Sequence, residues 1–306
     1  MEKNFDRSFE VVYSKIYDSC KQRLQEVKMS NNKFLLGLGI IFIIICLLVY
    51  IIRDTRIYVG ITIFMSLAIF LGFLISGNIR YRKEYKQHVI EGLVKGYNER
   101  FYFDPKMGVP RMEYVISNFD RNFNEFYSED RIYGRFEDGS NFQMSEVVTH
   151  YVQTYTDSEG NKQETRQETF RGMYGVVRLN KNIVSEIHIV NDSYKRRYDH
   201  NRVEMDSSEF EKYFDLVTGD KVLAMRIFTS DLLEKYLDIV RFNKNGFEVK
   251  IVDNLMFFRY RTNQLFEPPM FSDGVSKELL RKYYQVVYYP IEIIRATIEA
   301  LNDTFE

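Results

Sequence analysis

Two long runs without a charged side chain constrain this chain more than anything else in it. Phe34 to Ile52 is 19 residues and Ile57 to Gly77 is 21, separated only by Arg53-Asp54-Thr55-Arg56. At a helical rise of about 1.5 Å per residue they extend about 28 and 31 Å, close to the roughly 30 Å of a hydrocarbon core. Helices of soluble proteins seldom stay uncharged over about 18 residues, which argues against a pair of buried core helices. A cleavable leader is also disfavoured, because the first run starts 33 residues in and a second follows it. The sequence therefore predicts a transmembrane hairpin.

A four-residue connection puts both ends of the hairpin on one side, and the basic residues say which. Lys21, Arg23, Lys28 and Lys33 precede the first run; Arg80, Arg82, Lys83, Lys86 and Lys95 follow the second; the connection holds only Arg53 and Arg56. The pattern predicts a multi-pass protein of a bacterial inner membrane with both termini cytoplasmic. Arg80, Arg82, Lys83 and Lys86 are expected at the membrane surface, against anionic headgroups. Ala68, Gly72 and Ser76 repeat every four residues and predict the face on which the two spans pack. Neither span carries Asp, Glu, Lys, Arg or His, so the helices by themselves make an anchor and not a transport path.

Apolar residues continue at helical spacing on both sides of the hairpin. Phe5, Phe9, Val12, Ile16, Cys20, Leu24 and Val27 form one stripe before it, and Tyr81, Tyr85, Val89, Leu93 and Tyr97 a second after it. Each stripe needs a cover, either the other stripe and the soluble domain or a separate protein. The expected organisation is an amphipathic helix over 1–33, a hairpin over 34–77 with spans 34–52 and 57–77, a juxtamembrane helix over 78–100 and a cytoplasmic domain over 101–306.

Within that domain the turn signals Asp138-Gly139, Asp157 to Asn161 and Asn180-Lys181-Asn182 divide β-rich stretches into an antiparallel meander of about four strands. Gly172 and Gly175 suggest bulges. Asp206 to Glu209, Asp220 and Thr229 or Ser230 are candidate helix caps, the first for a helix through Phe214. Asn245-Gly246 opens two strands joined at Asp253-Asn254. A terminal helix spans about Ser276 to Leu301, kinked or divided at Pro290. Strands followed by mixed elements make the class α+β.

Several stretches resemble a known family. Ile132-Tyr133-Gly134, Phe142 to Val147, Phe170-Arg171-Gly172-Met173, Glu209 to Phe214, Ala224 and Leu232-Leu233 together resemble a bacterial family of membrane-anchored proteins of unknown function, often encoded near LemA-like membrane proteins. The resemblance covers about residues 95 to 265 and implies two spans followed by an α+β domain. It implies no activity and no functional residue.

Chemistry leaves few marks. The chain has no P-loop, GxGxxG, HExxH, CxxC or GxSxG pattern. His88, His150, His188 and His200 are scattered; His150 and His188 could meet across the meander. Glu125, Glu129 and Asp130 read as adjacent acids of a polar loop, where carboxylates stay solvated. No metal or cofactor is expected. Lys plus Arg number 42 against 43 acidic residues, a balance that argues against a nucleic-acid binder. The densest local charge is Tyr194 to Arg202, where Lys195, Arg196, Arg197 and Arg202 are candidates for gripping an anionic ligand, lipid above all. The expected function is a non-catalytic membrane-anchored module that recruits or senses a protein partner and reads anionic lipid. The alternatives are a membrane-tethered enzyme acting on a lipid or envelope precursor, and a subunit of a membrane complex.

Overall fold

The computed structural model describes residues 2–51, 64, 67, 79–156, 160–191, 201–242, 246–263, 266–268 and 274–305. Most of the second uncharged run, with Ala68, Gly72 and Ser76, lies outside them, as do Lys195, Arg196, Arg197 and residues 157–159 of the turn expected at Asp157 to Asn161.

The first helix, α1, runs unbroken over Glu2–Ile51. At 1.5 Å per residue it is about 75 Å long. Its two halves have opposite surroundings. Phe5, Phe9, Val12, Ile16, Cys20, Leu24 and Val27 are all buried, whereas Phe34, Leu36, Ile40, Ile41, Phe42, Ile43, Ile44 and Leu47 are exposed. Its segment Glu2–Ile44 is long and apolar enough to cross a membrane by length and composition.

Residues 79–85 are helical and pass into a π-turn, Lys86–Ile90, and then α2, Glu91–Tyr97. Tyr81, Tyr85, Val89 and Leu93 are buried, so both apolar stripes are covered within the chain. Ile16 sits over Gly92 and Val12 over Gly96, where a Cβ would come within 2.5 Å of the Val12 side chain. Glycine permits that close helix contact.

The sheet has seven strands, all paired antiparallel: β1 Phe101–Asp104, β2 Glu125–Arg135, β3 Asn141–Thr156, β4 Lys162–Asn191, β5 Arg202–Val203, β6 Phe214–Thr218 and β7 Phe247–Arg261. The order is β1-β2-β3-β4-β6-β5, with β7 also paired to β4. The 30-residue β4 is the spine, pairing with β3 near its start, with β7 along its middle and with β6 at its end. The turn expected at Asn180 to Asn182 is absent; β4 runs through it, and only the register with β7 shifts there. The hairpin expected at Asp253 is likewise a single strand with a left-handed residue, Asp253 at φ 53°. Pairing of the flanking residues, up to Arg178 and again from Ile183, carries the chain through the first segment, and the pair Ile183–Asp253 lies within the second, although both sequences suit turns.

Other helices are α3 Arg111–Ser117, α4 Lys221–Ile227, α5 Ser230–Phe242 and α6 Lys277–Phe305. Asp220 caps α4 through the Leu223 amide, as expected. The helix expected through Phe214 is a short 3-10 turn, Phe210–Lys212, followed by β6. Pro290 is buried inside α6 without dividing it. One face of the sheet carries α1, the 79–97 helix, α5 and α6 around a single aromatic-rich core. The other carries α3, whose Tyr114 packs with Phe119, Phe170 and Tyr174 in a smaller cluster. The class is α+β with a long N-terminal helix and an antiparallel sheet.

Candidate functional site: a buried charge cluster where the 79–97 helix meets the sheet

Lys86 stands in the π-turn, seven residues past the start of the described helix at Ile79. It was expected at a membrane surface with Arg80, Arg82 and Lys83. It is instead buried against the sheet, its Nζ donating to Asp130 Oδ2 at 2.6 Å and lying 3.1 Å from Glu267 Oε1 and 3.8 Å from Glu129 Oε1. Arg82 also turns to protein, its Nε donating to Glu267 at 2.7 Å, whereas Arg80 and Lys83 are exposed. π-turns inside α-helices concentrate at functional sites.

Asp130 reaches Lys86 because β2 bulges. The β2–β3 register shifts between Glu129 and Ile132, and Asp130 takes φ 59°. Successive side chains of a regular strand point to opposite faces. Here Glu129 and Asp130 come to the same place, and one carboxylate oxygen each of Glu129, Asp130 and Glu146 lies within 4.8 Å of the others. Glu146 faces Glu129 directly across the ladder, a like-charge pairing that costs stability unless compensated. The acids that sequence reasoning left solvated thus include one fully buried carboxylate. Its depth had no local signal, since adjacent acids suit a polar loop.

Compensation is incomplete. Asp130 Oδ1 is buried without a hydrogen-bond partner. Burial pushes Asp130 up to about 7 despite Lys86 beside it, and pushes Glu146 up to about 7, with Asp130 and Glu129 adding to the effect. Lys86 is raised by its carboxylate partners, which outweigh burial, and so stays charged.

A second constellation joins β4 and β7. His188 Nε2 is 2.8 Å from Glu248 Oε1, and Arg259 donates through Nε to Glu248 Oε2 at 2.7 Å and through Nη2 to the Phe119 carbonyl at 3.1 Å. All three side chains are buried. Burial pushes the Glu248 carboxyl up, but Arg259 and His188 outweigh it and hold Glu248 below the usual range. His188 borders a polar cleft of about 500 Å³ lined also by Asn118, Asp120, Arg121, Glu186 and Lys250. A carboxylate that fixes one imidazole nitrogen orients the ring, an arrangement suited to proton transfer or ligand binding. His150 is elsewhere: it faces Glu125 on β2 and Glu168 on β4, twenty positions from His188 along the same strand. The two histidines do not meet.

Of the basic cluster near the end of β4, only Arg202 is among the described residues. It is held by Glu211 at 2.6 Å and Asp215 at 2.7 Å. Cys20 is buried and donates to the His88 carbonyl at 3.4 Å.

A family described as "Protein of unknown function (DUF3137)" matches residues 168–297, from the middle of β4 into α6. No curated protein matches the chain in sequence. Among solved structures the chain aligns with "crystal structure of the mycobacterial trehalose monomycolate transport factor A, TtfA", at 6% identity and a TM-score of 0.33, over 68% of this chain and 97% of that one. A TM-score of that size does not establish a shared fold.

Proposed function

We propose that this protein is a non-catalytic sensing and recruiting module held rigidly on a two-span hairpin, Phe34–Ile52 and Ile57–Gly77, in a bacterial inner membrane with both termini cytoplasmic. One observation carries the reading: α1 is a single helix whose first half is built into the domain core and whose second half is apolar and exposed. No hinge separates anchor from domain along it, so a change at either end is passed to the other as a rigid-body movement. The 79–97 helix, packed on α1 and bound to the sheet through Lys86, supports a second attachment on the same side. Since both apolar stripes are consumed internally, a protein partner would meet the outer face of the domain and not the stripes. Lys195, Arg196 and Arg197 remain the candidates for anionic lipid, with Arg202 at their edge.

The polar cleft beside His188 is the observation that favours the second reading, a membrane-tethered enzyme acting on a lipid or envelope precursor. Its oriented imidazole is a general acid–base candidate.

Topology is testable with an impermeant maleimide on intact cells. Native Cys20 cannot report, because it is buried. Val184→Cys places a thiol at a site that is 94% exposed. We expect Thr55→Cys to label in intact cells, and Val184→Cys only after lysis. Labelling of Val184→Cys in intact cells would overturn the topology.

A further inference from the structure

We propose that Glu129, Asp130 and Glu146 form a binding site for a hard divalent cation of about the size of Ca²⁺ or Mn²⁺, at the junction of the juxtamembrane helix and the sheet. Geometry is the first ground. The three carboxylates each bring an oxygen within 4.8 Å of the other two. An ion with ligands at about 2.3 to 2.6 Å accepts oxygens up to about 5 Å apart across it.

The second ground is independent of the clustering. Glu146 is 6% exposed and has no hydrogen-bond or ion-pair partner among the described residues, and Asp130 Oδ1 is buried without a donor among them. A buried carboxylate without a partner is costly, and among the described residues no cation bonds Glu146 or Asp130 Oδ1, which leaves room for an added positive charge. Lys86 does not serve both acids, being committed to Asp130 Oδ2 and Glu267. Arg171, the other nearby cation, is engaged by Glu168 at 2.8 Å.

Charge counting gives the valence. When ionised, Glu129, Asp130, Glu146 and Glu267 carry four negative charges; Lys86 and Arg82 carry two positive ones. Two negative charges remain, which one divalent cation neutralises. The donor set is all oxygen, with no His or Cys in the group, which selects against Zn²⁺ and Cu²⁺. Glu129 is the exposed member and gives the ion its way in, with water completing the shell. A bound ion would clamp β2 to β3 beside Lys86, and so stiffen the contact between sheet and helix. The inference does not depend on the membrane topology.

The test uses the full chain purified in detergent and stripped with a chelator. Free Mn²⁺ is titrated by its electron paramagnetic resonance signal, and Tm is read with CaCl₂, MnCl₂, MgCl₂ or NaCl at equal ionic strength. We expect one Mn²⁺ per chain, displaced by Ca²⁺, and a rise in Tm with Ca²⁺ or Mn²⁺ but not NaCl. Glu146→Gln, nearly isosteric, should weaken binding at least tenfold and abolish the cation-induced rise. Asp130→Asn should do the same. If it fails to fold, Glu146→Gln with an unchanged Tm in chelator carries the test alone. Absence of stoichiometric Mn²⁺, or binding indifferent to Glu146→Gln, would overturn the site. Stabilisation by mild acid with no response to cations would overturn it too, and would assign the missing positive charge to a proton.

Discussion

At the scale of single residues, the charges buried between strands decide most. Glu248 holds His188 and Arg259 together, and all three side chains are buried. Removing one member of such a group leaves the others buried and uncompensated. Glu248→Ala should therefore lower stability by about 3 to 5 kcal/mol, measured by denaturant unfolding at neutral pH. The pH dependence has a definite sign. The folded carboxyl lies below its unfolded value, so its contribution is complete above the usual carboxylate range and is lost as pH falls through the folded value. The difference between wild type and Glu248→Ala should shrink when unfolding is repeated in acid. A constant difference at both pH values would show that Glu248 acts by packing and not by charge.

Among the elements, α1 and β4 carry the architecture, and each was read to a different depth. The stripe from Phe5 to Val27 was legible because a core-facing helix repeats with a period near 3.6 whatever it packs against. All seven of its positions are buried. Phe9 stacks among Phe5, Tyr13 and Tyr284, and is fully buried. Phe9→Ala should cost about 3 to 5 kcal/mol, read as a lowered denaturation midpoint with an unchanged slope. In β4, by contrast, Asn180-Lys181-Asn182 has the composition of a turn yet stays extended. Ladder pairing flanks it without covering it: β3 pairs up to Arg178 and β7 resumes at Ile183, while the Asn180 side chain bonds the Asp138 carbonyl and Lys181 the Asn302 carbonyl. Gly172 marks one of those approaches, since a Cβ there would stand 2.0 Å from the Tyr260 carbonyl oxygen. Bulges were expected at Gly172 and Gly175, but the need the structure reveals is room for the neighbouring strand.

For the whole molecule, the N-terminal helix, the 79–97 helix and the α+β domain share one core. Val12, Ile16 and Leu93 belong to the same buried cluster as Ile189, Phe247 and Leu280. The domain expected over 101–306 shares its core with the N-terminal helix. Salt links reinforce the seam: Arg281 bonds Asp6, and Lys277 lies 2.7 Å from Glu10. A chain truncated before Asn98 should expose the apolar side of α6 and the sheet. It should bind a hydrophobic dye and aggregate, while adding residues 2–30 as a separate peptide should reduce dye binding. A soluble, monomeric truncation with cooperative unfolding would show that α1 only decorates a complete domain.

What the sequence determined by itself is whatever depends on local period and composition. This includes the two uncharged runs, both amphipathic stripes, the Asp220 cap and the α+β class. Each is set by side chains within a few turns of one another, so no tertiary context was needed. The path of β4, the packing of both stripes on their own domain and the charge cluster at Lys86 were decided only by the fold. Asp130 becomes a buried acid because a bulge turns it toward a lysine 44 residues earlier in the chain, and Glu146 because it arrives from the next strand. A carboxylate's environment depends on what long-range pairing places around it, and no local pattern records that.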